Sequence, residues 1–234
     1  MKRALDLFTI DRRAPRSVFV DETWWTRSAR AGSFMSVAVT HWELVVTRQR
    51  GPGRVTVRGP ETKATTVPIP EEAEFFGIQF SLGTFMPSLP PDQLVDRALT
   101  LPRATSTSFR LDGSTWELPD RHNADVFVDR LIGAGLLVHD PITSAAVHGD
   151  AGGLSTRSLE RRVSRVTGLT RGMIRQIRRA ERAVELLSGG MSAVDVARQA
   201  GYADQPHLSR SLKRFVGLTP SQITASSATR SETP

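Results

Sequence analysis

The chain is 234 residues long, 39% hydrophobic and 24% charged. That suits a soluble globular protein of one large domain or two of about 100–130 residues each. It contains no cysteine, which excludes disulfides, thiolate metal sites and cysteine nucleophiles. The net charge of +7 is unevenly placed: residues 155–220 hold 13 Lys+Arg against 5 Asp+Glu, and the remainder 18 against 19. A basic excess confined to one block points to a polyanionic partner for that block, set against a merely solvated basic face.

The start, MKRALDLFTIDRR, has few apolar residues before charges return. Neither a secretory h-region nor a membrane span is expected anywhere. From there to residue 118 the pattern is β. FMSVAVT (34–40), WELVVTR (42–48), RVTVR (54–58), ATTVPI (64–69) and EFFGIQF (74–80) are short runs rich in β-branched and aromatic residues, separated by turns such as RGPG and RGP. Several alternate apolar with polar, as strands with one buried face do. Their spacing suggests a sandwich or small barrel. Pro90-Pro91-Asp92 starts a short helix through Val95 or Asp96. All four tryptophans and nine of ten phenylalanines precede residue 130, and core packing is the plain reading of them. Trp24 and Trp25, if in a strand, point to opposite faces, which places one ring to line a cavity.

Residues 119–225 read as helical, with helices expected at Asn123–Leu137, Thr143–Val147, Thr156–Thr167, Thr170–Ser188, Ala193–Gln199 and Gln205–Val216. The small polar residues 226–234 read as a disordered tail. The expected fold class is therefore α+β: a β-sandwich or barrel-like domain over 1–118, then an all-α domain over 119–225.

Two stretches of the helical half share a plan. In the second, Ser192 caps a helix carrying Val194 and Ala197, Gly201 turns the chain, and Tyr202 plugs the turn. Asp204 then caps a helix with Pro206 in its first turn. Leu208, Leu212 and Phe215 form its buried stripe, leaving Gln205, His207, Ser209, Arg210, Lys213 and Arg214 outside. In the first, PITSAAVHG, a DAGG turn and LSTRSLERRVSRVTG repeat the arrangement, with Leu159, Val163 and Val166 inside. The long helix between them shows an apolar face of Ile174, Ile177, Val184 and Leu187, and an arginine stripe of Arg171, Arg175, Arg178 and Arg182. A membrane-surface role for this basic helix is disfavoured by its lack of Trp and Tyr anchors.

Two helix-turn-helix units joined by one long helix resemble the AraC/XylS family of bacterial transcription regulators. The resemblance covers about residues 139–225 and rests on LSTRSLERRVSRVTG and SAVDVARQAGYADQPHLSRSLKRFVGLTP. It implies a cytoplasmic, nucleoid-associated regulator. The second helix of each unit would enter successive major grooves of double-stranded DNA, about 34 Å apart. On the matching positions it implies base reading by Arg157, Glu160 and Arg161, and by Gln205, His207 and Arg210. Phosphate contacts would come from Arg162, Arg165, Lys213 and Arg214. Two features depart from the family pattern: the loose, glycine-rich first turn, and Pro206 and Leu208 where polar and aromatic residues are common. FFGIQFSLGTFMPSL resembles, more weakly, the β-rich sensor domains of part of the family. It implies that this half takes a small-molecule effector, a second copy of the chain, or both. RNA polymerase is a further partner of such regulators.

No cofactor is expected. The five histidines are scattered without metal-ligand spacing, and no phosphate-binding loop appears. His41 and Glu43 share a strand face, a weak hint of acid–base chemistry. Two alternatives stand beside the DNA-binding regulator, which is not an enzyme. One is an enzymatic or ligand-binding β domain with an accessory basic module. The other is a structural nucleic-acid binder, which would carry Lys and Arg with few hydrogen-bond acceptors.

Overall fold

The computed structural model describes residues 10–14, 17–147, 153 and 155–228. A β-rich N-terminal region precedes a helical C-terminal one. The strands are β1 (Ile10–Arg13), β2 (Val20–Ser28), β3 (Gly32–Ser36), β4 (Glu43–Gln49), β5 (Arg54–Arg58), β6 (Thr65–Ile69), β7 (Ala73–Phe80), β8 (Thr84–Phe85), β9 (Ala98–Thr100), β10 (Ser108–Leu111), β11 (Ser114–Glu117) and β12 (Val138–His139). The helices are α1 (Pro91–Leu94), α2 (Ala124–Gly133), α3 (Pro141–Val147), α4 (Thr156–Thr167), α5 (Arg171–Ser188), α6 (Ala193–Gln199), α7 (Gln205–Phe215) and α8 (Pro220–Ala228).

Six antiparallel strands form the main sheet in the order β1-β2-β7-β4-β5-β9, and β3 pairs with β6 as a separate ribbon. Strand periodicity puts Leu44 and Val46, Val55 and Val57, and Phe76, Ile78 and Phe80 on one face. All are buried there against Phe109 and Trp116 of the β10–β11 hairpin and Phe127, Val128 and Leu131 of α2. Trp42 stacks on Phe80 at 3.9 Å, and its indole donates to the Thr84 carbonyl at 2.7 Å. A cavity of about 10 Å³ beside Trp42, Met86 and Leu94 is the space left there, room for one water at most. Trp24 and Trp25 do lie in a strand. Trp24 donates to Glu43 on one face, while Trp25 packs against the core on the other.

The second core lies among α4 to α8. Leu159 and Val163, Ile174 and Ile177, Val196, Leu208, Leu212, Phe215 and Ile223 meet in it. Burying an aliphatic or aromatic side chain of this size stabilises by about 1.5–3 kcal/mol. Ala38, from just after β3, is buried in the same cluster, and Leu82 and Val95 pack against it.

Two boundaries differ from the sequence expectation. The helix expected at Asn123–Leu137 forms over the shorter span Ala124–Gly133, and its apolar stripe, with Leu137 beyond it, joins the core of the β half. Polar composition suggested a tail from 226, whereas helix α8 runs through Ala228. Residues 229–234, and the first unit's glycine-rich turn at 148–152 with Leu154, lie outside the described residues.

Candidate nucleic-acid interface

Each helix of the two units starts and stops for local reasons. Ser155 accepts from the Ser158 amide to cap α4, Thr170 from Met173 to cap α5, and Ser192 from Asp195 to cap α6. Asp204 accepts from the His207 amide at 2.6 Å and caps α7. Between α6 and α7, Gly201 takes φ +72°, a left-handed turn that costs glycine little. The buried Tyr202 then plugs the corner, its hydroxyl 3.1 Å from Ser211. Arg179 of α5 lies over the Tyr202 ring at 4.5 Å and donates to the Gly201 carbonyl. The turn is thereby fastened to the long helix, a contact with no local signal in the sequence.

With Leu208, Leu212 and Phe215 turned inward, α7 exposes Gln205, Arg210, Lys213 and Arg214. His207 is half-buried, edge-on to Tyr202, and its Nδ1 accepts from the Ala203 amide at 3.4 Å. That leaves Nε2 as the ring's donor. On α4, Arg157, Arg161 and Arg165 are exposed at intervals of four residues and share one face. No ion pair involves these three, or Arg210, among the described residues.

Two expected contact residues, Arg162 and Glu160, are engaged elsewhere, and two more, Lys213 and Arg214, make local contacts at the end of α7 while staying exposed. Arg162, expected at phosphate, donates Nε and Nη2 to the two Asp140 oxygens at 2.7 and 2.8 Å. Asp140 also accepts from Thr143 Oγ1 and the Ile142 amide. Burial would push this carboxyl up, but the hydrogen bonds from Arg162 and Thr143 and the Arg162 charge outweigh it and hold it low. Glu160, expected at a base edge, is half-buried and accepts from the Arg171 amide in the first turn of α5. Lys213 donates to the Gly217 carbonyl past the end of α7. Arg214 lies over Phe215 at 5.0 Å. Asp140 was not singled out from sequence, since its partner lies in another helix and nothing local marks it.

Helices α4 and α7 touch the β half at their C-terminal ends. The Phe215 carbonyl accepts from the Ala38 amide at 2.7 Å, and the Arg214 carbonyl from the Ala64 amide at 2.8 Å. Both would otherwise be unpaired helix-end acceptors. Gly217 follows at φ +78°, where a Cβ would come within 2.7 Å of Met35 Sδ. At the end of α4, Gly168 takes φ +73°, and a Cβ there would meet the Pro91 carbonyl at 2.7 Å and Val95 at 2.8 Å.

The His41–Glu43 hint does not become an acid–base pair. Burial, then the charges of Arg58 and Arg12, hold the His41 imidazole down to about 4. Glu43 is occupied by Arg58 at 3.3 Å and the Trp24 indole at 3.1 Å. Burial pushes its carboxyl up against the opposing pull of Arg58. No cluster of three or more metal-ligating side chains occurs among the described residues. No helix among them is long and apolar enough to cross a membrane. An open groove of about 560 Å³ runs between the β4–β5 turn and the β9–β10 connection. Arg50, Arg54 and Arg103 line it together with Val55, Leu101 and Phe109.

Residues 150–226 match a family model described as a helix-turn-helix domain. Among curated proteins none matches the chain. Among solved structures, ToxT from Vibrio cholerae is similar with a TM-score of 0.44 at 11% identity, over 87% of this chain and 97% of that one. A structure of ToxT from Vibrio cholerae bound to (E)-4-(8-methylnaphthalen-1-yl)but-3-enoic acid is similar with a TM-score of 0.41 at 9% identity, over 94% of this chain and 98% of that one.

Proposed function

We propose that the protein is a DNA-binding regulator whose helical half, matching a helix-turn-helix model over residues 150–226, reads two successive major grooves on one face of the duplex through α4 and α7. The observation that carries this is the paired exposure of free polar side chains on the two second helices: Arg157 and Arg161 on one, Gln205 and Arg210 on the other. Arginine bonds guanine through O6 and N7, and glutamine bonds adenine through N6 and N7. His207 adds a ring donor. Arg165 is the free phosphate contact on α4, and Lys213 and Arg214 serve the same end on α7. Arg162 and Glu160 act instead through the protein, holding α4 to Asp140 and to the start of α5.

We assign a controlling role to the β half. An effector would find its room in the open arginine-lined groove, since the cavity beside Trp42 holds no more than a water. Action on chromosomal DNA places the protein in the cytoplasm, with RNA polymerase and a second copy of the chain as its candidate protein partners. The test is genome-wide mapping of bound sites. A shared motif with two half-elements about one helical turn apart supports the reading. Diffuse occupancy without a motif contradicts it and favours a structural nucleic-acid binder.

A further inference from the structure

Two reading helices behave as linked binding modules. If their separation is rigid, a duplex with correctly spaced half-elements gains the second contact nearly free, and a misspaced one loses it. The long helix α5 supplies one link between the units. The β half supplies another.

That second link is continuous. At one end α1 docks on α4: the Pro91 carbonyl and Val95 lie against Gly168 so closely that a side chain there would collide. At the other end the segment after Glu61 docks on α7, with the Ala64 amide on the Arg214 carbonyl. The two docking segments are joined to each other. Thr62 donates its amide to Asp96 Oδ1 at 2.7 Å and its hydroxyl to Asp96 Oδ2 at 2.6 Å. The Asp96 amide donates to the Pro60 carbonyl at 2.8 Å, and the Gly59 amide to the Arg97 carbonyl at 3.0 Å. Asp96 itself sits at φ +55°, a left-handed conformation that aspartate and asparagine tolerate better than most residues. A strained, exposed turn residue held by two hydrogen bonds to one threonine suits a junction whose geometry matters.

We infer that the Asp96–Thr62 junction ties the two docking points into one brace, and that this brace sets the separation of α4 and α7 and hence the spacing of DNA half-elements the protein accepts. Asp96 and Thr62 are positioning residues: among the described residues neither belongs to the helical core cluster, and their hydrogen bonds run to each other and to the Pro60 carbonyl. The inference rests on the two-groove reading proposed above.

The experiment uses the full chain and a duplex carrying the mapped site, beside duplexes with the half-elements moved apart or together by one base pair. A duplex with a single half-element is the control. Wild type should prefer the natural spacing. In Asp96→Ala that preference should fall about fivefold to tenfold, the lower range of coupling between sites, while affinity for the single half-element is unchanged. Asp96→Asn, which keeps the left-handed turn and one acceptor, should retain most of the preference. Should Asp96→Ala fail to fold, Thr62→Val removes the hydroxyl contact alone and should shift the preference in the same direction. An unchanged preference in Asp96→Ala and Thr62→Val overturns the inference and leaves α5 as the sole spacer. Failure of wild type to bind even the single half-element defeats the DNA reading itself, a separate and recognisable outcome.

Discussion

Asp140 grips Arg162 through both carboxylate oxygens, at 2.7 and 2.8 Å, and so fixes α4 to the segment that precedes α3. Asparagine keeps one acceptor oxygen but removes the charge and the second acceptor that the Arg162 guanidinium bonds. Asp140→Asn should therefore cost about 1–3 kcal/mol of stability near neutral pH, as loss of hydrogen bonds to a charged group does. Because the Asp140 carboxyl titrates below its ordinary range when folded, its contribution is present above that range and lost as pH falls through the lower, folded value. Denaturant unfolding of wild type and Asp140→Asn should converge in strong acid. A difference that persists there would mean that the charge is not what matters.

Arg161 and Arg210 are exposed and free of ion pairs among the described residues. Alanine at either should cost about 1–3 kcal/mol at the mapped site and relax the base preference at one position. Binding measured on single-base variants of the site checks this. Equal weakening on the site and on random DNA would remove both from the base-reading role.

Arg165 lies on the exposed face of α4, spaced four residues from Arg161. Arg165→Ala should weaken binding on every sequence and lower the slope of log affinity against log salt by about one. An unaltered slope would show that Arg165 touches no phosphate.

His41 is held down to about 4 by burial, then by Arg58 and Arg12. Unfolded, it takes its proton near 6.5, while the folded protein refuses it until about 4. Its contribution to stability is thus present above pH about 6.5 and lost as pH falls toward about 4, by roughly 2–3 kcal/mol. His41→Gln should flatten the stability profile over that window. A profile as steep as that of wild type would assign the loss to other groups.

What could be read from sequence followed how local its cause was. Helices α4 to α7 were legible because their stripes repeat at helical spacing, with Ser192 and Asp204 standing at the starts of α6 and α7. Strands β4, β5, β6 and β7 were legible from β-branched runs between turns. Strand β2 was not, since VDETWWTRS mixes charged and aromatic residues and gains its place only by pairing with β1 and β7. The helix at 124–133 was foreseeable as a helix, but not its packing partner, because an apolar stripe does not name what it packs against. At the interface, the exposure of Arg157, Arg161, Gln205 and Arg210 followed from helical periodicity. The engagement of Arg162 by Asp140, 22 residues earlier, and the capping of α7 by Ala38 and Ala64 are long-range pairings that no local pattern encodes.

The most direct test of two-groove reading is base-resolved footprinting of the purified full chain on its mapped site. Two protected patches in the major groove are expected, on one face of the duplex and about 10 base pairs apart. Arg161→Ala should clear one patch and Arg210→Ala the other. A single patch, or even protection along the whole duplex that neither substitution alters, would contradict it.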